Sequence, residues 1–204
     1  DIPDNISEQY KSYPELNIIT KTMNRDTYEY LVDTYKDTKY GHSMKALFNS
    51  SKMGDKYVFD NLRKVEEYMK EVFDKIDDIE SMNRDTRPYS NLNQKDSEII
   101  MMYLPQGSIN TCAHAMKCYL ENNPQINDTY MITIITSELN GGSFMEEISC
   151  SLGNARRQGK RLIVLSGGQA KVGCTLSECD IVVMLNDCNS IDDYCQTIYR
   201  CMSE

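Results

Sequence analysis

Apolar positions change their spacing along the chain, and the change divides it near residue 98. Before that point the spacing is helical. Tyr28, Leu31, Val32 and Tyr35 recur at i, i+3, i+4 and i+7, one face of a short helix. Val58, Leu62, Val65, Met69, Val72, Ile76 and Ile79 step alternately by four and three, which predicts a helix of about six turns with Asp and Glu outside. This stripe is too short for a sustained coiled coil, so it reads as a helix packing on its own domain. Leu16 to Thr20 reads as a short strand. Residues 81–97 (SMNRDTRPYSNLNQKDS) read as a polar linker or surface loop.

Beyond residue 98, short continuous apolar runs alternate with helical patterns. The runs are Ile99–Leu104, Tyr130–Thr136, Arg161–Leu165 and Ile181–Leu185. Helices are predicted from Ser108 to about Asn122, from Ser143 through Ala155, and from Ile191 to Met202. Buried strands alternating with helices are the pattern of a parallel sheet covered on both faces. The expected architecture is therefore α/β: a doubly wound parallel sheet over residues 99–204, with a mainly helical N-terminal extension or insertion over 1–98. Ligands of such sheets bind outside the carboxyl ends of the strands. That points to the loops Pro105–Ser108, Ser137–Ser143, Ser166–Glu178 and Asn186–Ser190.

Composition narrows the function. The 204 residues carry 40% hydrophobic and 26% charged positions, ordinary values for a globular chain. No apolar run approaches the length of a membrane span. Both halves are acidic and the net charge is -9, which excludes a broad electrostatic grip on nucleic acid but not a narrow, geometry-driven one. All eight cysteines lie between Cys112 and Cys201, with no C-x-x-C pair, and His42 and His114 are not spaced as zinc ligands with them. They read as reduced, buried small hydrophobes, which implies an intracellular, reducing compartment. The opening DIPDNISEQY lacks both the features of a signal peptide and an initiator Met, so the chain reads as an excised or processed segment.

Candidate chemistry concentrates in Leu165-Ser166-Gly167-Gly168-Gln169-Ala170-Lys171-Val172-Gly173-Cys174-Thr175. Gly168 to Thr175 imitates a phosphate-binding loop, but Cys174 stands where the phosphate-reaching Lys belongs. The next strand also follows too closely for a phosphate-holding helix. Asp77-Asp78 and Asp192-Asp193 read as solvated helix charges. The cluster Arg156, Arg157, Lys160 and Arg161 fits the favourable charge of a helix C-terminus better than a nucleic-acid contact.

Three segments together carry a family resemblance. Gly173-Cys174-Thr175-Leu176-Ser177-Glu178-Cys179-Asp180 before an apolar strand resembles motif V of superfamily 2 helicases, closest to the Snf-type branch. Gln196-x-x-x-Arg200 resembles motif VI of the same superfamily, and Ile99–Leu104 followed by Pro105-Gln106-Gly107-Ser108 resembles motif IV. The wording of the final stretch is most similar to helicases of large nucleocytoplasmic DNA viruses. The resemblance covers about residues 98–204. It implies the second RecA-like domain of an ATP-dependent helicase or translocase.

From the resemblance, Arg200 is the arginine finger that meets charge developing on the γ-phosphate, and Gln196 positions that arginine or the attacking water. Gly173 and Asp180 are the implied nucleotide-binding positions. Gln106, Gly107, Ser108, Ser166, Gln169 and Thr175 are the implied contacts to the backbone of DNA or RNA. ATP and Mg2+ would be held mainly by a first RecA-like domain elsewhere in the parent chain, with no membrane involved. The setting implied is a virion or a cytoplasmic viral factory. Two departures stand out. The second arginine of motif VI is replaced by Ser203, and a motif V threonine is replaced by Gly167, which moves that phosphate contact to Ser166 or to backbone. Two other readings stay open: a non-catalytic RecA-like module that docks a protein partner, and a free-standing nucleotide or flavin binder using the Ser166–Gly173 loop.

Overall fold

The computed structural model describes residues 18–20, 22–36, 43–86, 98–105, 107, 109–136, 144–167, 178–187, 190, 192 and 194–195. Helix α1 (Arg25–Thr34) opens on Asn24, whose side chain accepts a hydrogen bond from the Thr27 amide and so satisfies one of the orphan donors of the first turn. Leu31 turns inward as the spacing predicts, whereas Tyr28, expected on the same apolar face, is exposed. A single helical turn, α2 (Met44–Leu47), leads into a hairpin of β1 (Ser50–Met53) and β2 (Lys56–Phe59). Gly54, at φ 63, opens its two-residue turn; glycine at the first central position is the requirement of a type II′ hairpin.

Helix α3 (Leu62–Thr86) carries the long apolar stripe. Val65, Met69, Val72 and Ile76 are buried along it, while pairs such as Lys70–Asp74 line the wet side. Two expectations change here. Val58 belongs to β2 rather than to the helix. The helix also runs on to Thr86, through the first part of the expected linker, because the first residue able to stop it is Pro88. Ile18 to Thr20 do not form a strand.

The remaining strands form one parallel sheet: β3 (Ile99–Tyr103), β4 (Tyr130–Ile135), β5 (Arg161–Ser166) and β6 (Cys179–Met184), in the spatial order β4-β5-β3-β6. Helices α4 (Ile109–Glu121) and α5 (Pro124–Thr129) connect β3 to β4, and α6 (Phe144–Arg157) connects β4 to β5. These two crossovers travel in opposite directions across the sheet, so right-handed connections must place α4 and α6 on opposite faces. The packing agrees. Ile100, Met102, Ile163 and Leu165 meet α4, α3 and the hairpin in one core. Ile99, Met101, Leu162 and Val164 meet Ile148, Leu152 and Ala155 of α6 in the other. The protein is α/β, with a four-stranded parallel sheet flanked by helices, and α3 and the hairpin share a core with that sheet. Among the described residues, no helix is long and apolar enough to cross a membrane.

Burial alters the proton affinities of several core groups. It pushes the Cys112 thiol up to about 12, and it pushes the Tyr130 phenol up to about 12 against the opposing pull of Arg161. Both groups hold their proton more tightly folded than unfolded. The stability they lend is therefore intact below their ordinary values, and is lost as pH rises toward 12. We expect urea midpoints to fall on alkaline titration and the fall to be shallower in Cys112→Ala and Tyr130→Phe. A slope unchanged in both variants would assign the alkaline loss to other groups.

Candidate functional site

Adjacent strands β3 and β5 send their connections in opposite directions, β3 toward β4 and β5 toward β6. Their carboxyl ends are the switch point of the sheet, where a ligand crevice belongs. The edge is stitched by hydrogen bonds from the Leu104 amide to the Ser166 carbonyl at 2.8 Å and from the Leu185 amide to the Tyr103 carbonyl at 2.8 Å. The chain after β3, after β5 and after β6 thus leaves the sheet side by side.

Gly107 stands just beyond β3 at φ 128, a conformation that residues with a Cβ rarely adopt. Lys45, from α2, lies across it: a Cβ on Gly107 would stand 2.7 Å from Lys45 Cε and 2.8 Å from its Nζ. Beyond β5, Ser166 is buried, and its hydroxyl donates to the Gly167 carbonyl at 3.2 Å. The side chain of Ser166 is thus turned inward, which leaves any phosphate contact at this point to backbone. At Gly167 a Cβ would come within 2.6 Å of Ile109 Cδ1. Packing of the first turn of α4 against the end of β5 therefore explains why a glycine replaces the expected threonine.

Sequence reasoning missed several neighbours of this edge. Thr136, at the end of β4, is buried, and its hydroxyl donates to Asn110 Oδ1 at 2.9 Å. Asp187, after β6, accepts a hydrogen bond from the Met44 amide at 3.3 Å. Asn186 is 8% exposed, and its Oδ1 has no hydrogen-bond partner among the described residues. An unpaired buried acceptor of this kind costs about 1–3 kcal/mol. Asn186 and Asp187 lie in a loop that the sequence pattern singles out; nothing in the sequence announces Lys45, since its meeting with Gly107 depends on tertiary packing.

Other expected site residues fall elsewhere. Asp180 lies in β6, at the amino end of the sheet, opposite the edge that holds Gly107 and Ser166. Gln106, Ser108, Gln169, Gly173, Thr175, Gln196 and Arg200 lie outside the described residues. The basic cluster is also at the amino end, and its members are engaged within the fold. Arg156 pairs with Glu98, Arg157 donates to the Gly153 carbonyl, Lys160 donates to the Asn127 carbonyl, and Arg161 pairs with Glu80 and donates to the Tyr130 hydroxyl. Among the described residues, no group of three or more His, Cys, Asp or Glu side chains could hold a metal ion. No protein-family model matches the chain, and no curated protein matches it.

Proposed function

We propose that residues 99–204 form the second RecA-like domain of an ATP-dependent nucleic-acid helicase or translocase. One observation carries the reading. The sheet order makes neighbours of β5, β3 and β6, and the carboxyl ends of these three strands lead into the segments that resemble motifs V, IV and VI respectively. The chain leaving these three strands thereby sets out from one edge, the edge where α/β sheets bind ligands.

In this reading the chain grips nucleic acid through backbone and polar groups beyond β3 and β5, contacts that carry no base specificity and need no broad basic face. Arg200 reaches ATP held on a first RecA-like domain, where its guanidinium meets the charge that develops on the transferring γ-phosphate. Gln196, four residues earlier in the chain, orients that arginine or the attacking water. The Lys of a phosphate loop is replaced by Cys174, so nucleotide and its metal are assigned to the first domain. The 204-residue chain by itself is therefore expected to hydrolyse ATP negligibly, with or without an oligonucleotide. A turnover of about 1 s⁻¹ or faster by the isolated chain would overturn the assignment.

A further inference from the structure

We propose that the first half of α2 is an autoinhibitory strap: Met44 and Lys45 lie across the carboxyl edge of the sheet and cover the place at Gly107 that a nucleic-acid backbone would take. The inference rests on the motor reading, which makes the loop after β3 a nucleic-acid contact. A glycine leaves one face of its backbone bare, and such a face is where a ligand can approach the chain closely. At Gly107 that face is already filled. Lys45 Cε and Nζ lie 2.7 and 2.8 Å from where a Cβ would stand, and the lysine is itself engaged within the fold.

A second tie lies one residue away. The Met44 amide donates to Asp187 Oδ1 at 3.3 Å. Asp187 follows β6 and Gly107 follows β3, so two consecutive residues of α2 bridge the ends of two neighbouring strands. The anchor behind them is firm. Ala46, Leu47 and Phe48 are at most 3% exposed, Asn61 Nδ2 donates to the Ala46 carbonyl at 3.0 Å, and Phe48 packs edge-on against Phe59 and Tyr68. The strap itself is held lightly. Met44 and Lys45 are half-buried, Asp187 is exposed, and water competes for its carboxylate. The hinge therefore falls between Lys45 and Ala46, and release frays one turn, with loss of the Phe48–Met44 hydrogen bond. Asn186 shows that the closed arrangement leaves a group unsatisfied. It stands between Leu185, tied to Tyr103, and Asp187, tied to Met44, and its buried Oδ1 has no partner among the described residues. An unpaired buried acceptor favours a rearrangement that lets water reach it, which poises the strap to open.

The test uses the 204-residue chain with fluorescent oligothymidylate and oligouridylate, read by anisotropy. Lys45→Ala uncovers Gly107, and Asp187→Ala releases the Met44 amide from the opposite side. Each is expected to tighten binding, by about tenfold where the released form is about a tenth of the free wild-type chain. Lys45→Met keeps the stem over Gly107, and Asp187→Asn keeps an acceptor for Met44; both are expected to bind as the wild type does. Hydrogen exchange at the Met44 amide, faster in Asp187→Ala than in the wild type, reports the opening without any ligand. Equal binding by the wild type and both Ala variants overturns the strap and leaves the motor reading standing. Weaker binding by Lys45→Ala and Lys45→Met alike makes the lysine a charge contact rather than a cover, and also overturns the strap. No oligonucleotide binding by the wild type or by either Ala variant overturns the strap and the motor reading together.

Discussion

Arg200→Ala in the intact parent is expected to lower nucleic-acid-stimulated ATP hydrolysis by a factor of about a hundred at least, and by as much as about 10⁵. A hundredfold corresponds to about 2.7 kcal/mol of transition-state stabilisation. The effect should fall on kcat, with nucleotide affinity little changed, because a finger meets charge that exists only in the transition state. Arg200→Lys should rescue little: an ammonium is a point charge, whereas the guanidinium fork spans two phosphoryl oxygens at once. Gln196→Ala should give a smaller loss in the same direction. Steady-state ATPase assays beside nucleotide-binding titrations check all three. Unchanged kcat in a folded Arg200→Ala protein removes Arg200 from the chemistry.

The largest stability effect is expected at the Arg161–Glu80 pair. Glu80, near the end of α3, is 7% exposed, and the Arg161 side chain at the start of β5 is 20% exposed. Arg161 also lies over the Tyr130 ring, 4.4 Å from its centroid. Arg161→Met leaves Glu80 buried without its cation, a change that costs about 3–5 kcal/mol. Against a typical total stability of about 5–15 kcal/mol, such a loss approaches unfolding. Glu80→Leu with Arg161→Met should recover much of it, because a buried pair replaced by apolar groups is often near neutral. Urea denaturation of both single variants and the double variant closes the cycle. A loss under about 1 kcal/mol in Arg161→Met would mark the pair as a solvated surface contact instead.

The sheet was legible in the sequence because its strands are continuous apolar runs of the right length between helical patterns. Predicted and observed strands differ by two residues or fewer at each end, as in Ile181–Leu185 against Cys179–Met184. The hairpin was not legible. Ser50-Ser51-Lys52-Met53 is polar, and it is held by pairing with β2 and by its contact with α4 rather than by its own pattern. Val58 happens to sit in phase with the stripe of α3, so periodicity alone assigned it to the helix. The roles of Arg156 and Arg161 were hidden for a simpler reason. Their partners lie 58 and 81 residues away in the chain, and no local pattern encodes such pairs. The candidate site was legible only as motif wording. The Lys45–Gly107 approach and the Gly167–Ile109 contact arise from how elements pack, which spacing does not record.

The strand order has a consequence for how the protein is made. Strand β3 is buried at all five positions, and both of its neighbours, β5 and β6, come later in the chain. At about 5–20 residues per second, a ribosome needs several seconds after releasing Tyr103 to deliver those partners. Throughout that interval Ile99-Ile100-Met101-Met102-Tyr103 is an uncharged, proline-free strand with two open edges, the composition of an aggregation-prone segment. Helix α3 precedes it in the chain and α4 follows directly, so one face can be shielded early. The other face waits for α6. The strand that joins the two halves of the sheet is therefore the segment most exposed to misassembly during translation, and the one on which a holding chaperone would act.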